Sequence, residues 1–321
     1  MLQPSPAPSR AAIIGAFAIV YIIWGSTYLG IRFAIDSMPP LLMAGSRYFL
    51  AGALLYGFMR LRGEPTPTRR SWGPALLIGL CLLTFGNGGV TLGEQYIPTG
   101  LTALLVTTVP MFLVLLGWLS GISGRPTLPV AIGLVVGMVG VYLVASTRGT
   151  SHVALPGHET RGIILVLSAA VMWAVGSLYA KKHQSASSPF LAGGMQMMCG
   201  GLLMLVVGGL RGEATGFELA AVTTKSWLAY VYLITLGSIV AFSAYIWLLR
   251  VVEPALAGTN SFVNPVVAVL LGWALAGEAL SPPMLGGAAL IIVAVVLVVM
   301  GGAKKPGLPQ AEQPAAAKRL V

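Results

Sequence analysis

Carboxylates, imidazoles and thiols do most of the acid, base and metal chemistry in proteins, and in this chain they stand apart from its apolar bulk. The nine acidic residues (Asp36, Glu64, Glu94, Glu159, Glu213, Glu218, Glu253, Glu278 and Glu312) and the three histidines (His152, His158 and His183) fall between long apolar runs or at their edges. Cys81 and Cys199 lie inside two separate runs, where small thiols pack well, so a disulfide framework is not expected. Within the runs there is no nucleophile beside a base, no carboxylate pair and no His/Cys cluster at ligand spacing. No catalytic residue, metal or cofactor is therefore expected, and an intramembrane enzyme is disfavoured.

What the runs do contain is hydroxyls, amides and aromatic rings. They bracket near 13–33, 41–59, 72–93, 99–119, 128–146, 162–180, 190–209, 227–248, 256–276 and 284–301. A polar side chain in hydrocarbon needs a partner or an aqueous cavity, and six runs carry such residues. Ser26 and Thr27 lie in the first; Thr84, Asn87 and Thr91 share one helical face in the third; Thr102, Thr107 and Thr108 are in the fourth. Ser168 and Ser177 lie in the sixth, Thr235, Ser238 and Tyr245 in the eighth, and Thr259, Asn260, Ser261 and Asn264 in the ninth. Runs 1, 3, 4, 6, 8 and 9 are thus expected to surround a cavity, with 2, 5, 7 and 10 outside or buttressing. A single hydroxyl most simply bonds back to its own helix, so the pattern across runs carries the argument. The cavity candidates are Trp24, Tyr28, Asn87, Thr107, Trp173, Ser177, Tyr245, Asn260 and Asn264.

Two prolines and one charge complete the set. Pro110 and Pro265 fall near the centres of runs 4 and 9, where each withholds a hydrogen bond from the carbonyl four residues before it, Val106 or Ser261. They are read as hinges, a static kink being the other reading. Arg47 is the only charge well inside a run. Glu94, at the end of the third run on the same side, could pair with it; a structural pair or a snorkelling arginine is the simpler reading, and substrate recognition is the alternative.

These residues must be positioned by membrane helices. Charged residues make up 9% of the chain and apolar ones 56%, with a mean hydropathy of +0.87. No soluble domain of this length needs so apolar a core. The runs are long enough to span a bilayer and lack the two-residue alternation of strands. The first spans without an A-x-A-like site, so no cleaved leader is expected.

Pro110 with Val114-Leu115-Leu116-Gly117-Trp118 recurs as Pro265 with Val269-Leu270-Leu271-Gly272-Trp273, 155 positions later, and Ser71-Trp72 recurs as Ser226-Trp227. The chain reads as a duplication of five runs, 11–148 and 161–302, followed by a disordered cytoplasmic tail over 303–321. With the N-terminus inside, the cytoplasmic segments hold Arg10, Arg60, Arg62, Arg69, Arg70, Arg125, Lys181, Lys182, Arg250, Lys304, Lys305, Lys318 and Arg319. The outer segments hold Arg32, Arg148, Arg161, Arg211 and Lys225. This bias predicts both termini in the cytoplasm, and an odd number of spans per repeat makes the second repeat inverted. The expected fold is all-α, with ten transmembrane helices in two inverted five-helix repeats. The net charge of +10 reports this orientation rather than a nucleic-acid face.

Tyr21-Ile22-Ile23-Trp24-Gly25-Ser26-Thr27-Tyr28, Arg47-Tyr48-Phe49, Glu94, Pro254-Ala255-Leu256-Ala257, Val263-Asn264-Pro265-Val266-Val267-Ala268-Val269-Leu270-Leu271-Gly272 and Gly277-Glu278 together resemble EamA-type transporters of the drug/metabolite transporter superfamily. The similarity covers nearly the whole chain and lies nearest the bacterial inner-membrane YedA/YddG-like branch. The first repeat departs from the family's Gly-Glu-Arg after its fourth span, having Ser123-Gly124-Arg125-Pro126, so a role for that glutamate carries over only to Glu278. The resemblance implies export across the inner membrane of amino acids, related metabolites or drugs. No charge beyond Arg47 lies well inside the runs, which argues against sugar phosphates and favours a neutral or zwitterionic solute, amino acids first and aromatic ones among them. A drug or other metabolite exporter, or a channel-like facilitator, is the alternative. The expected surroundings are the lipid bilayer and a small-molecule substrate, with no nucleic acid, and a single chain is expected to function as a monomer. With no mid-run Asp, Glu or His, steep proton coupling is not expected, Glu94 being the exception to watch.

The topology is testable. Single cysteines near Arg62, Lys182 and Lys305 are expected to label only from the cytoplasm and one near His152 only from outside. Labelling of both sets from one side refutes the inverted arrangement.

Overall fold

A computed structural model describes residues 8–97, 102, 105–146, 158–183, 188–276 and 282–302. Among these residues the secondary structure is helical throughout. The long helices are α1 (Arg10–Ile35), α2 (Pro40–Leu61), α3 (Arg69–Gly93), α4 (Val109–Leu119), α5 (Leu128–Ser146), α6 (Glu159–Lys182), α7 (Pro189–Leu210), α8 (Thr224–Val251), α9 (Asn260–Ala276) and α10 (Pro282–Gly302). Of these, α1, α2, α3, α6, α7 and α8 are long and apolar enough to cross a membrane, and α4 and parts of α5 and α10 are shorter apolar helices. The loop joining the repeats over 147–157, the tail 303–321 and Glu278 lie outside the described residues.

Local chemistry sets the helix starts. Ser9, Ser188 and Thr223 cap α1, α7 and α8, each accepting a backbone N–H at 3.2 Å from Ala12, Leu191 and Ser226 respectively, which satisfies donors that the first turn leaves free. Pro40 and Pro189 occupy first-turn positions where a missing N–H costs nothing. Pro39 gives α2 no side-chain cap. Glu213, beyond the end of α7, supplies it instead, with Oε2 accepting from the N–H groups of Leu41 (2.8 Å) and Leu42 (3.0 Å).

The helix ends gather at the two ends of the bundle. At one, Ser37 Oγ donates to Ser226 Oγ (2.8 Å), Ser226 Oγ donates to the Phe33 carbonyl (2.7 Å), and Lys225 lies 3.8 Å from Asp36. At the other, Lys181 Nζ donates to the Val252 carbonyl (2.9 Å) and Ser123 Oγ to Glu253 (3.4 Å). The ends of α1 and α7 thus meet the starts of α2 and α8, so these helices alternate in direction. Bulky apolar side chains such as Leu61, Leu210 and Met300 cover the outside, all more than two-thirds exposed, as a lipid-facing surface requires.

Two helix pairs pack backbone against backbone. Between α2 and α7, Gly45 faces Gly201 and Gly52 faces Gly194; a Cβ on Gly201 would stand 2.4 Å from the Phe49 nitrogen, and one on Gly52 2.7 Å from the Gly194 carbonyl. Between α5 and α10, a Cβ on Gly140 would meet the Gly287 carbonyl at 2.8 Å. Small residues let membrane helices approach this closely when lipid supplies no hydrophobic drive between them. Helices α3 and α8 each contain a π-helical segment, Leu80–Asn87 and Leu233–Phe242. Their C-terminal residues are 155 positions apart, the offset of the sequence duplication.

The fourth and ninth runs differ from the continuous spans expected. Thr107 and Thr108 form a turn before α4, so Pro110 sits in the first turn of a helix rather than at a mid-helix kink. The ninth run divides into a short helix, Pro254–Ala257, and α9, with Gly258 and Thr259 in the turn between them. Pro265 lies within α9.

Replacing Gly201 by Val is expected to cost about 1–3 kcal/mol or more through overpacking against α2. Gly57→Ala on the same pair, where nothing stands within 4 Å of a new Cβ, is expected to be neutral or to stabilise by up to about 1 kcal/mol. Thermal melting of the two purified variants checks the contrast.

Candidate substrate cavity

A cavity opens inside the bundle between helices from both halves. It is lined by Trp24, Thr27, Tyr28 and Ile31 of α1, Arg47 and Tyr48 of α2, Gly86, Asn87 and Val90 of α3, Val106 and Val109 around the start of α4, Ala169, Ala170 and Trp173 of α6, Gly237 of α8, and Asn260, Ser261 and Asn264 of α9. It offers about 80 Å³ to the centres of water-sized spheres, several times the roughly 10–15 Å³ that one buried water needs. Gly86, Gly237, Ala169 and Ala170 are too small to fill this space. Among the larger groups aromatic faces and amides prevail, a lining suited to a solute with both apolar and polar parts.

An aromatic layer closes one side. The Trp24 ring stands nearly perpendicular to Trp173 with centroids 5.6 Å apart, and Tyr245 packs on both, at 5.1 Å and 5.7 Å. Trp173 Nε1 donates to the Tyr245 hydroxyl (3.0 Å), and Ser177 Oγ donates to the Trp173 carbonyl (2.8 Å). Ser177 has only one hydroxyl hydrogen, so in its 2.8 Å contact with Tyr245 it is the acceptor. The ring of bonds Trp173, Tyr245, Ser177, Trp173 is therefore closed. Next to it, Tyr21 and Thr259 pair at 2.6 Å between α1 and the break before α9, and Thr259 Oγ1 donates to the Leu256 carbonyl at 2.6 Å. Trp24 is fixed by its own Nε1, which donates to the Gly237 carbonyl (3.1 Å) in the π segment of α8. Tyr28 and Ile31 lie one and two turns beyond Trp24 toward Asp36, and Arg47 is in the second turn of α2, so the cavity lies on the Asp36/Lys225 side of this layer.

The predicted residues separate accordingly. Trp24, Tyr28, Asn87, Trp173, Asn260 and Asn264 line the cavity. Ser177 and Tyr245 stand behind it, both fully buried, and build its floor. Thr107 is also buried and does not line it; the turn before α4 presents Val106 and Val109 instead. Of the two hinge candidates, neither ring lines the cavity; Ser261, which Pro265 deprives of a helical hydrogen bond, does, and so does Val106, just before the turn that precedes Pro110. Helix α2 was expected outside, yet Arg47 and Tyr48 reach the interior. Arg47 makes no ion pair with Glu94: its Nη2 donates to the Tyr48 hydroxyl, and its guanidinium carbon lies 4.3 Å from the Tyr48 ring centroid. Many other polar residues follow the simple rule, Thr27, Thr91, Thr108 and Thr235 all bonding to carbonyls of their own turns.

Long apolar helices around an interior polar and aromatic cavity are the architecture of a multi-pass membrane transporter. The model of the EamA-like transporter family matches residues 11–146 and 160–300, and the chain belongs to that family, within the drug/metabolite transporter superfamily. It is 41% identical over 271 residues, 84% of either chain, to the uncharacterized inner membrane transporter YedA of Escherichia coli (strain K12). It is 27% identical to the uncharacterized transporter YvbV of Bacillus subtilis (strain 168), covering 86% of this chain and 87% of that one. A solved crystal structure 18% identical to it superposes with a TM-score of 0.74 over 92% of this chain and 98% of its own, and so shares its fold.

The closed ring of bonds predicts a particular pattern of stabilities. Tyr245→Phe strands the Trp173 N–H and is expected to cost about 1–2 kcal/mol. Adding Ser177→Ala to that variant is expected to cost less than Ser177→Ala alone, because its hydroxyl no longer has a tyrosine to serve. Melting temperatures of the two single variants and the double variant give the cycle; strict additivity would mean the two hydroxyls are energetically independent.

Proposed function

We propose that the protein is an inner-membrane exporter of small zwitterionic or neutral metabolites, amino acids foremost and aromatic ones among them, working by alternating access. The observation that carries this reading is the cavity itself, walled by α1, α2, α3 and α4 of one half and α6, α8 and α9 of the other. A site at the meeting of two repeats, flanked by interrupted helices, suits a carrier in which each half moves against the other. In this reading ten helices span the membrane as two inverted five-helix repeats, both termini are cytoplasmic, and one chain is sufficient. The inner-membrane location is that of YedA, and the apolar outer surface agrees with it.

Mechanism follows from the two sides of the cavity. The Trp24/Trp173/Tyr245 layer and the Tyr21–Thr259 pair lie toward Lys181 and Val252, the end read as cytoplasmic, and form the closed gate in this conformation. Opening it requires the rings to part and the Tyr21–Thr259 bond between α1 and α9 to break. Pro265 in α9 and the turn before α4 supply hinges, since Ser261 has lost its usual donor and the chain at Thr107–Thr108 is already out of the helix. Solute then moves downhill, with no buried proton relay among the cavity-lining side chains.

In a Cys81/Cys199-free background, single cysteines at Asn87, Trp173 and Asn264 are expected to react with small hydrophilic thiol reagents, and an amino acid that is a substrate is expected to protect at least one. Cysteine at Gly137, which packs on Phe262 and Ala294, is expected to stay inert. Counterflow of labelled amino acids in proteoliposomes tests transport directly: trans-stimulated uptake supports a carrier, and flux without trans-stimulation points to a channel.

A further inference from the structure

Arg47 is only 2% exposed, yet its Nε and Nη1 have no hydrogen-bond partner, and it forms no salt bridge with a described carboxylate. The Tyr48 contacts hold the guanidinium without neutralising it. Tyr48 takes one of the two Nη2 hydrogens; the other still forms a two-pronged donor with an unpaired neighbour, the geometry that grips a carboxylate. A buried cation left in this state is costly until an anion completes it. Elsewhere in the lining of the same cavity the polarity reverses. Asn87 Oδ1 and Asn264 Oδ1 are buried acceptors without a donor, and the carbonyl that Pro265 deprives of its helical donor belongs to the lining residue Ser261.

Resting on the transport reading above, we propose that Arg47 is the residue that holds the substrate's carboxylate, and that Asn87 and Asn264 face its α-ammonium group. One guanidinium matches one carboxylate. A phosphate dianion would need a further cation, and among the described residues no other Lys or Arg lines the cavity. The same donors and acceptors disfavour a simple sugar or an uncharged drug, which would leave the Arg47 charge uncompensated.

The test is counterflow of labelled L-threonine, L-leucine and L-phenylalanine in proteoliposomes of the full chain, with each amino acid and its carboxamide as competitors. The amide keeps size and amine and loses only the negative charge. The expected result is that amides compete at least about tenfold more weakly than the acids, that Arg47→Gln brings acid and amide within about twofold of each other, and that Arg47→Lys retains a preference for the acid. For phenylalanine, 3-phenylpropionate, which lacks the amine, is expected to compete at least about tenfold more weakly as well. Equal competition by acid and amide in the unmodified protein overturns the Arg47 assignment while leaving amino-acid transport standing. Equal competition by 3-phenylpropionate overturns the roles of Asn87 and Asn264. Absence of exchange for all three amino acids removes the amino-acid reading and this assignment with it. The comparison on the unmodified protein decides the matter even where an Arg47 variant fails to insert.

Discussion

A polar group inside a bilayer has no water to turn to, and this constraint organises the molecule. Most of its interior hydroxyls answer it locally, by donating to a carbonyl one turn back, as Thr27, Thr91, Thr108, Ser177 and Thr259 do. Others answer it across helices: Tyr245 between α6 and α8, Tyr21 between α1 and the start of α9, Thr84 from α3 to the Gly200 carbonyl of α7. The Tyr21 and Thr84 bonds tie the two halves together, and the Tyr245 bonds hold the second half to itself. The orphan atoms that line the main cavity, on Arg47, Asn87 and Asn264, mark a place the protein has not satisfied by itself.

Close packing makes that localisation possible. Helices α2 and α7 touch through four glycines, and α3 meets α7 where a Cβ on Gly79 would stand 2.4 Å from the Gln196 carbonyl. With backbones so close, only a small cavity remains beside α7, and the main cavity lies where Gly86, Gly237, Ala169 and Ala170 leave room. The π segments of α3 and α8 border this room. The wider turn of a π segment breaks the regular ladder and re-aims side chains; Asn87 ends one such segment, and Gly237 sits in the other with its carbonyl turned to Trp24.

Much of this was legible in the sequence because hydrocarbon leaves so few options. Apolar length located the helices, and the polar content of individual runs identified Asn87, Asn260 and Asn264 as lining residues without any tertiary information. What the sequence did not disclose depends on rotation about helix axes and on breaks in the chain. Thr107 looks equivalent to its neighbours until the turn before α4 points Val106 and Val109 inward instead. Tyr245 and Ser177 are polar residues on the right helices, but their hydroxyls satisfy each other and so become floor rather than lining. Arg47 was discounted because Glu94 offered a plausible partner, and only the burial of its side chain beside Tyr48 separates the two roles. Pro110 reads as a kink from spacing alone and as a helix start once the preceding turn is seen.

The duplication also explains why the site is unequal. The facing glycines fix the correspondence between α2 and α7: Gly45 pairs with Gly201 and Gly52 with Gly194, so exchanging the halves maps Gly45 onto Gly194 and Gly52 onto Gly201, both shifts of 149 positions. The same shift carries Arg47 onto Gln196. Gln196 is buried, its Oε1 lacks a donor, and it lines a second, smaller cavity with His183 and Arg250 nearer the other end of the bundle. Equivalent places in the two halves therefore carry a charge in one and an amide in the other. Under alternating access, a carboxylate would meet the Arg47 guanidinium in one state and, in the other, the Gln196 amide with Arg250 in the same lining. A solute bound unequally by two states shifts the balance between them by its difference in affinity, so an asymmetry of this kind sets which state the loaded carrier favours, while the solute gradient sets the direction of net movement.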